Sequence, residues 1–221
     1  MTTPDLSAYR AVHAALRLAP HRLATTAEAV DAGDRRRLKA FDAYWRGYAA
    51  EVLSHHSIED DIMFPALVAR VPSVATMIER TDEDHHRLDV LMASCTEGAA
   101  RLVASPIADR RPLVEDLHAL ARHMDEHLDF EDAELLPLIE GVFTREEFDE
   151  LEGLAAKATG LGPQAAFAVP FVLAEMAEAD RAHLITGAPA PLRVLYALSK
   201  GRHARLSARV FGARAPEPVR A

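Results

Sequence analysis

Two stretches of the chain, HHSIEDDIMFP at 55 to 65 and HLDFEDAELLP at 127 to 137, carry a histidine, a glutamate, an aspartate and a proline in the same register, 72 residues apart. The same offset takes His13 onto His85 and Leu16 onto Leu88. One offset that aligns every piece marks a duplicated helix hairpin. Each half supplies one histidine from its first helix and an HxxxE pair from its second.

The surrounding pattern is helical. Apolar residues recur at three- and four-residue spacing through YRAVHAALRLA, FDAYWRGYAAEVL, HHRLDVLMASCTEGAARLV and LVEDLHALARHMDEHLDF, the mark of helices with one buried face. Breaks near Gly33-Asp34, Val71-Pro72-Ser73, Ser105 to Pro112 and Gly141 divide residues 4 to 140 into four helices with short loops, which favour antiparallel neighbours. The expected fold is therefore all-α. An up-down-up-down four-helix bundle occupies residues 1 to 141, and a helical extension with a basic C-terminal segment occupies 142 to 221. Pro20, Pro65 and Pro137 should kink or end the helices that contain them. Past Gly141, TREE at 144 to 147 reads as a capping box, and two further helical stretches are expected at 164 to 184 and 190 to 211.

Positions four apart on a helix lie about 40° apart on one face. His55 with Glu59, and His127 with Glu131, can thus point into one interhelical space, where His13 and His85 complete the set. A donor set of imidazole and carboxylate without sulfur suits iron, with zinc, manganese or copper also compatible by ligand type. Glutamates on facing helices can each bridge two ions. Acids flanked by IMFPAL and LLPLI need such a partner if they are buried. The competing ExxH pattern of carboxylate di-iron bundles occurs at Glu83 to His86 and Glu115 to His118, but it leaves the repeated HxxxE pairs unexplained.

HHSIEDDIMFPAL and HLDFEDAELLPLI resemble the two HxxxE segments of the hemerythrin-like, or HHE cation-binding, domain, with His13 and His85 as its helix 1 and helix 3 histidines. The resemblance covers residues 5 to 140. It implies a four-helix bundle around a non-haem centre of two iron ions, oxo- or hydroxo-bridged when oxidised, with His13, His55, Glu59, His85, His127 and Glu131 as metal ligands. Oxygen-carrying members have HxxxH in helix 3, whereas here Asp89 follows His85 by four. On that reading one ion lacks an imidazole and is open to peroxide or nitric oxide, reversible oxygen carriage is disfavoured, and Asp89→His should restore the missing ligand.

Several neighbours leave alternatives. His86 competes with His85, and Asp132, five after His127, competes with Glu131; the repeat favours His85 and Glu131. His56 is expected to be exposed. His123 and Glu51 lie one turn before ligand histidines and can support them. Tyr9 and Tyr48 fall on ligand stripes, where packing, a hydrogen bond or ligation are all open, and His118 faces away.

Charge and cysteine content narrow the function. Residues 190 to 221 hold seven Lys or Arg against Glu217, a formal charge of +6, which leaves −15 on residues 1 to 189. The acidic part does not favour nucleic acid. The basic helix carries apolar Leu192, Leu195, Leu206 and Val210, which suit docking against the bundle, and a homodimer contact through the apolar 164 to 179 segment is a further option. Cys95 is the single cysteine and no segment reads as a leader or a membrane span, so a cytoplasmic location is expected. The expected function is a di-iron protein that reacts with or senses peroxide, oxygen or nitric oxide in oxidative or nitrosative stress, with weak peroxidase- or catalase-like turnover left open. The alternatives are an iron- or oxygen-responsive binding module read by a protein partner, a reversible oxygen binder, and a metal-free interaction bundle.

Overall fold

The computed structural model describes residues 2–106 and 110–212. The polar end beyond 212, with Arg214, Glu217 and Arg220, and part of the expected break at 105 to 112 lie outside the described residues. All regular structure among the described residues is helical: α1 Ser7–Ala29, α2 Arg35–Ile58, α3 Phe64–Arg70, α4 Ala75–Ala104, α5 Arg110–Phe130, α6 Leu136–Val142, α7 Arg145–Thr159, α8 Ala165–Ala174, α9 Glu178–Gly187 and α10 Ala190–Phe211. Five-residue π-helical turns, Glu59–Met63 and Glu131–Leu135, join α2 to α3 and α5 to α6.

Local chemistry explains most boundaries. Asp34 caps α2 by accepting the Arg37 N–H, and Thr144 with Glu147 forms the expected capping box of α7. Pro20 does not end α1. A proline at 20 has no N–H for the Leu16 carbonyl, and the buried Tyr48 hydroxyl, from α2, donates to that carbonyl instead at 3.3 Å. Pro65 and Pro137 sit in the first turns of α3 and α6, immediately after the π turns. Gly141 lies inside the last turn of α6, so the break comes at Phe143. The single stretch expected at 164 to 184 is two helices, interrupted at 175 to 177.

Side-chain contacts define the pairing of the long helices. On α1 and α5, Arg17 meets Asp129 at 2.6 Å, His21 meets Asp125 at 2.9 Å and Glu28 meets His118 at 2.8 Å. Rising numbers on one helix meet falling numbers on the other, so the pair is antiparallel. The α4 and α5 pair has the same sense: the His85 and His127 rings lie 4.9 Å apart, Ser94 donates to Asp116 at 2.6 Å, and a Cβ on Gly98 would come within 2.9 Å of Leu113. Trp45 of α2 donates to Thr96 of α4 at 3.0 Å. A large apolar core that includes Leu16, Phe41, Trp45, Val52, Leu88, Leu120 and Leu128 fills the body of these helices. A second core of Leu6, Met63, Phe64, Leu135, Leu136, Ile139 and Phe148 closes the end beyond the π turns. The repeated histidines and acids fall between the two.

The C-terminal helices dock on α1 and α2. Phe167 of α8 lies on bare α2 backbone, where a Cβ on Gly47 would fall 2.5 Å from its ring. Tyr44 packs edge-on against Phe167, Phe171 and Phe211, and the Arg22 guanidinium covers Phe211 at 4.0 Å while pairing with Glu175 at 2.9 Å. On α10, Val210 is buried, whereas Leu192, Leu195 and Leu206 are half-buried.

His203 of α10 enters this aromatic nest. Burial, with the nearby Arg22 charge, pushes it down to about 4, against about 6.5 in an unfolded chain. Between those values the unfolded chain binds more protons, so His203 contributes stability above pH 6.5 that is lost as pH falls toward 4. Urea unfolding at pH 7 and pH 5 in one metal state should show a smaller loss in His203→Leu than in the parent, by up to about 2 kcal/mol. Equal losses would show that His203 is not titrating against burial.

Candidate metal centre

Four helices and both π turns deliver polar side chains to one buried volume. His13 comes from α1, His55 and His56 from α2, His85 from α4 and His127 from α5; Glu59 and Glu131 open the two π turns, and all seven are buried. The π turns follow from the prolines. A proline ring crowds the carbonyl four residues earlier, and here the chain widens by one residue just before it, with Phe64 and Leu136 bonding back to Glu59 and Glu131. Such single wide turns recur at functional sites.

The six expected ligands converge. His55 Nε2 lies 3.2 Å and His13 Nε2 3.9 Å from Glu59 Oε1, while His85 Nε2 lies 3.5 Å from Glu59 Oε2. Glu131 Oε2 is 3.5 Å from His13, and its Oε1 is 3.6 Å from His127 and 3.9 Å from His85. Each carboxylate thus turns one oxygen toward histidines of the first half of the repeat and the other toward the second half. Two four-donor groups result, His13, His55, Glu59 and Glu131, and His56, Glu59, His85 and His127, each with donor atoms within 4.8 Å of one another. Glu59 belongs to both.

These donors lack the partners that buried polar atoms ordinarily have. The Nε2 atoms of His13, His55, His85 and His127, both ring nitrogens of His56, Glu59 Oε2 and both Glu131 oxygens are buried without a hydrogen bond. A native chain leaves few such atoms, and each costs about 1–3 kcal/mol. Nitrogen and carboxylate oxygen converging in this number fit a divalent or trivalent transition metal.

The outward nitrogens are held in the orientation a metal requires. His13 Nδ1 donates to Asp132 at 2.7 Å, and His85 Nδ1 to Asp60 at 3.1 Å, so each Nε2 lone pair faces the cluster. The two aspartates are 72 apart, and each orients the histidine of the other half. Arg17 fixes Asp132 in turn at 3.2 Å. Asp132, weighed against Glu131 as a ligand, faces the outer nitrogen of His13 and is in neither four-donor group. Asp60→Ala and Asp132→Ala are expected to weaken metal affinity 10- to 100-fold with helical content unchanged, measured by competition with a chelator. The exposed Asp61→Ala is the matched control, and parental affinity in both test variants would remove the orienting role.

Protonation favours ligation at three of the histidines. Burial pushes His55 down to about 4 and His127 to about 3, and holds His56 well below its ordinary value. Neutral imidazole is the ligating form. Burial pulls His13 down too, but the Asp132 and Glu59 carboxylates outweigh it and its pKa is raised. Burial also opposes charge on the two glutamates. The imidazoles of His55 and His13 overcome this at Glu59, whose pKa is lowered, while the Glu59 charge adds to burial at Glu131 and holds it well above the carboxylate range. Burial and the Glu59 carboxylate keep the Tyr9 phenol protonated, and it donates to Glu59 Oε1.

Other residues stand apart from the cluster. His86 is exposed and bonds the Asp82 carbonyl, which leaves His85 as the α4 histidine of the cluster. His123 lies near Asp84 and Glu126, Glu51 accepts from Gln164 at 3.0 Å, and Tyr48 serves Leu16. Glu83, His86 and Glu115 of the two ExxH patterns are exposed. Asp89 is exposed as well, so it cannot stand in for a ligand, and Asp89→His cannot supply one. His56 overturns the opposite expectation: it is only 4% exposed. Because α2 lies between α1 and α4, consecutive residues about 100° apart both find neighbours. His55 packs 5.1 Å from the His13 ring, and His56 stacks 3.9 Å from the His85 ring.

Residues 5–139 match a family model described as the hemerythrin HHE cation binding domain. No curated protein and no solved structure matches the chain.

Proposed function

The chain belongs to the hemerythrin HHE cation-binding domain family, and we propose on that premise that it is a non-haem di-iron protein that reacts with or senses peroxide, oxygen or nitric oxide. Residues 1 to 141 act as an up-down-up-down four-helix bundle that holds the ions, and 142 to 221 as an extension docked on it. His13, His55, Glu59, His85, His127 and Glu131 hold the ions, with both glutamates between them. The observation that carries this reading is the set of buried, unpartnered ring nitrogens and carboxylate oxygens in which each glutamate spans histidines of both halves.

A bound iron pair supplies one-electron redox chemistry and Lewis acidity toward small oxygen and nitrogen ligands. The protein supplies the rest. Asp132 and Asp60 hold His13 and His85 with Nε2 inward, and the cores above and below the cluster keep bulk water out. Tyr9 holds a proton on its phenol oxygen beside Glu59. With its single cysteine buried, the chain offers no exposed thiol as an alternative peroxide-reactive group among the described residues, and a cytoplasmic setting suits the reading.

The test is anaerobic titration of the reduced, iron-loaded protein with oxygen, hydrogen peroxide and nitric oxide, followed by absorption spectroscopy and metal analysis. Irreversible oxidation with peroxide consumption is expected. A spectrum that reverses fully under vacuum would assign oxygen carriage instead, and a chain that retains no iron would overturn the di-iron reading.

A further inference from the structure

The cluster holds one imidazole more than the duplication accounts for. His56 has no histidine counterpart in the second half: the residue 72 further on is Leu128, buried in the apolar core. The repeat is otherwise kept at His13 and His85, His55 and His127, Glu59 and Glu131, and Asp60 and Asp132. We propose that His56 is a seventh donor of the centre, ligating the ion held by His85 and His127, so that the two metal positions are unequal. The proposal rests on the two-ion reading above.

Three observations carry it. The His56 ring is buried, yet neither nitrogen has a hydrogen-bond partner. If its role were only to fill space beside His85, a leucine or phenylalanine would do so without stranding two buried polar atoms, and position 128 shows that an apolar residue suits the equivalent place. One His56 nitrogen also lies within 4.8 Å of donor atoms of Glu59, His85 and His127, which form the second four-donor group. Finally, the ring lies beside both imidazoles of the second position, 3.9 Å from His85 and 5.5 Å from His127 between centroids, and a turn out of its 11° stack on His85 lets both rings aim an in-plane nitrogen at one ion. The ring of its chain neighbour His55, on the other side of the cluster, lies further away at 6.0 Å. The count is then two imidazoles at the position of His13 and His55 against three at the other, with Glu59 and Glu131 each facing both.

The test uses the full-length metal-free protein titrated anaerobically with cobalt(II), following the visible absorption of the bound ion and its stoichiometry. The parent should take two equivalents with distinguishable spectra. His56→Phe keeps a flat ring against His85 and removes both nitrogens; it should bind one equivalent as the parent does and the other at least about 100-fold more weakly, beyond the usual loss on removing a supporting group. In His56→Gly, which stays informative if the phenylalanine does not fit, added imidazole should restore the second equivalent and its spectrum. His86→Ala should behave as the parent. Two equivalents of parental affinity and spectrum in both His56 variants would overturn the proposal and leave His56 a packing group. A parent that takes fewer than two equivalents of both cobalt(II) and iron(II) would overturn the two-ion reading, and the seventh ligand with it.

Discussion

Glu59→Ala is expected to remove both metal ions, the largest loss of any single substitution in the chain. Glu59 belongs to both four-donor groups, with Oε1 3.2 Å from His55 and Oε2 3.5 Å from His85. It is also the carboxylate that stays ionised when the cluster is empty, because the imidazoles of His55 and His13 outweigh its burial. The variant therefore loses a donor to each ion and the negative charge that first attracts a cation into an apolar surrounding. Glu131→Ala should do less. Its oxygens also face both sides, but the His56, Glu59, His85 and His127 group survives intact, so about one ion per chain should remain. Metal analysis after gel filtration decides the order, with half-buried His118→Ala and exposed His86→Ala, both outside the cluster, as controls. Two ions retained in Glu59→Ala would remove it from the bridging position.

What the sequence made legible was periodic and local. Helix ends came from Asp34, Thr144, Glu147 and the proline and glycine breaks, and the cluster came from one offset of 72 that paired residues too far apart in the chain for helix spacing to connect. What it concealed depended on which neighbours a helix has. His56 is one residue from His55, and on a helix with a single buried face it would point to solvent; it is buried because α1 and α4 flank α2 on two sides. Asp89 fails for the converse reason. Four residues after His85 on an ideal stripe, it nevertheless lies where α4 faces water. Asp60 carried a signal that could have been used, since it repeats with Asp132. Its role still required the histidine it orients to arrive from the other half of the duplication. Tyr9 lies on the His13 stripe, and only the fold shows that its hydroxyl reaches Glu59. The interruption between α8 and α9 has no glycine or proline to announce it; Glu175 is drawn to Arg22, 153 residues earlier.

Stripping the metal should lower the melting temperature by roughly 20 °C, because metal that binds only the folded chain stabilises it by mass action. At a free concentration about 1,000 times Kd, each ion contributes about 4 kcal/mol, and for a chain of this size about 1 kcal/mol moves the transition by about 2–4 °C. The empty cluster adds to the difference, since its buried nitrogens and oxygens have no hydrogen-bond partners to replace water. The gap should narrow in acid. Loading must displace the proton that burial and the Glu59 charge keep on Glu131, together with any carried by His13, whose pKa the Asp132 and Glu59 carboxylates raise. Ligation therefore releases protons, and affinity falls as pH falls. Calorimetric melts of loaded and stripped protein at pH 8 and pH 6 should show the larger separation at pH 8. Proton release on titrating the stripped chain with iron(II) in weak buffer should accompany it. Equal melting temperatures for the two forms at both pH values, with the loaded form shown to retain its ions, would mean that the donors do not close around a shared buried site.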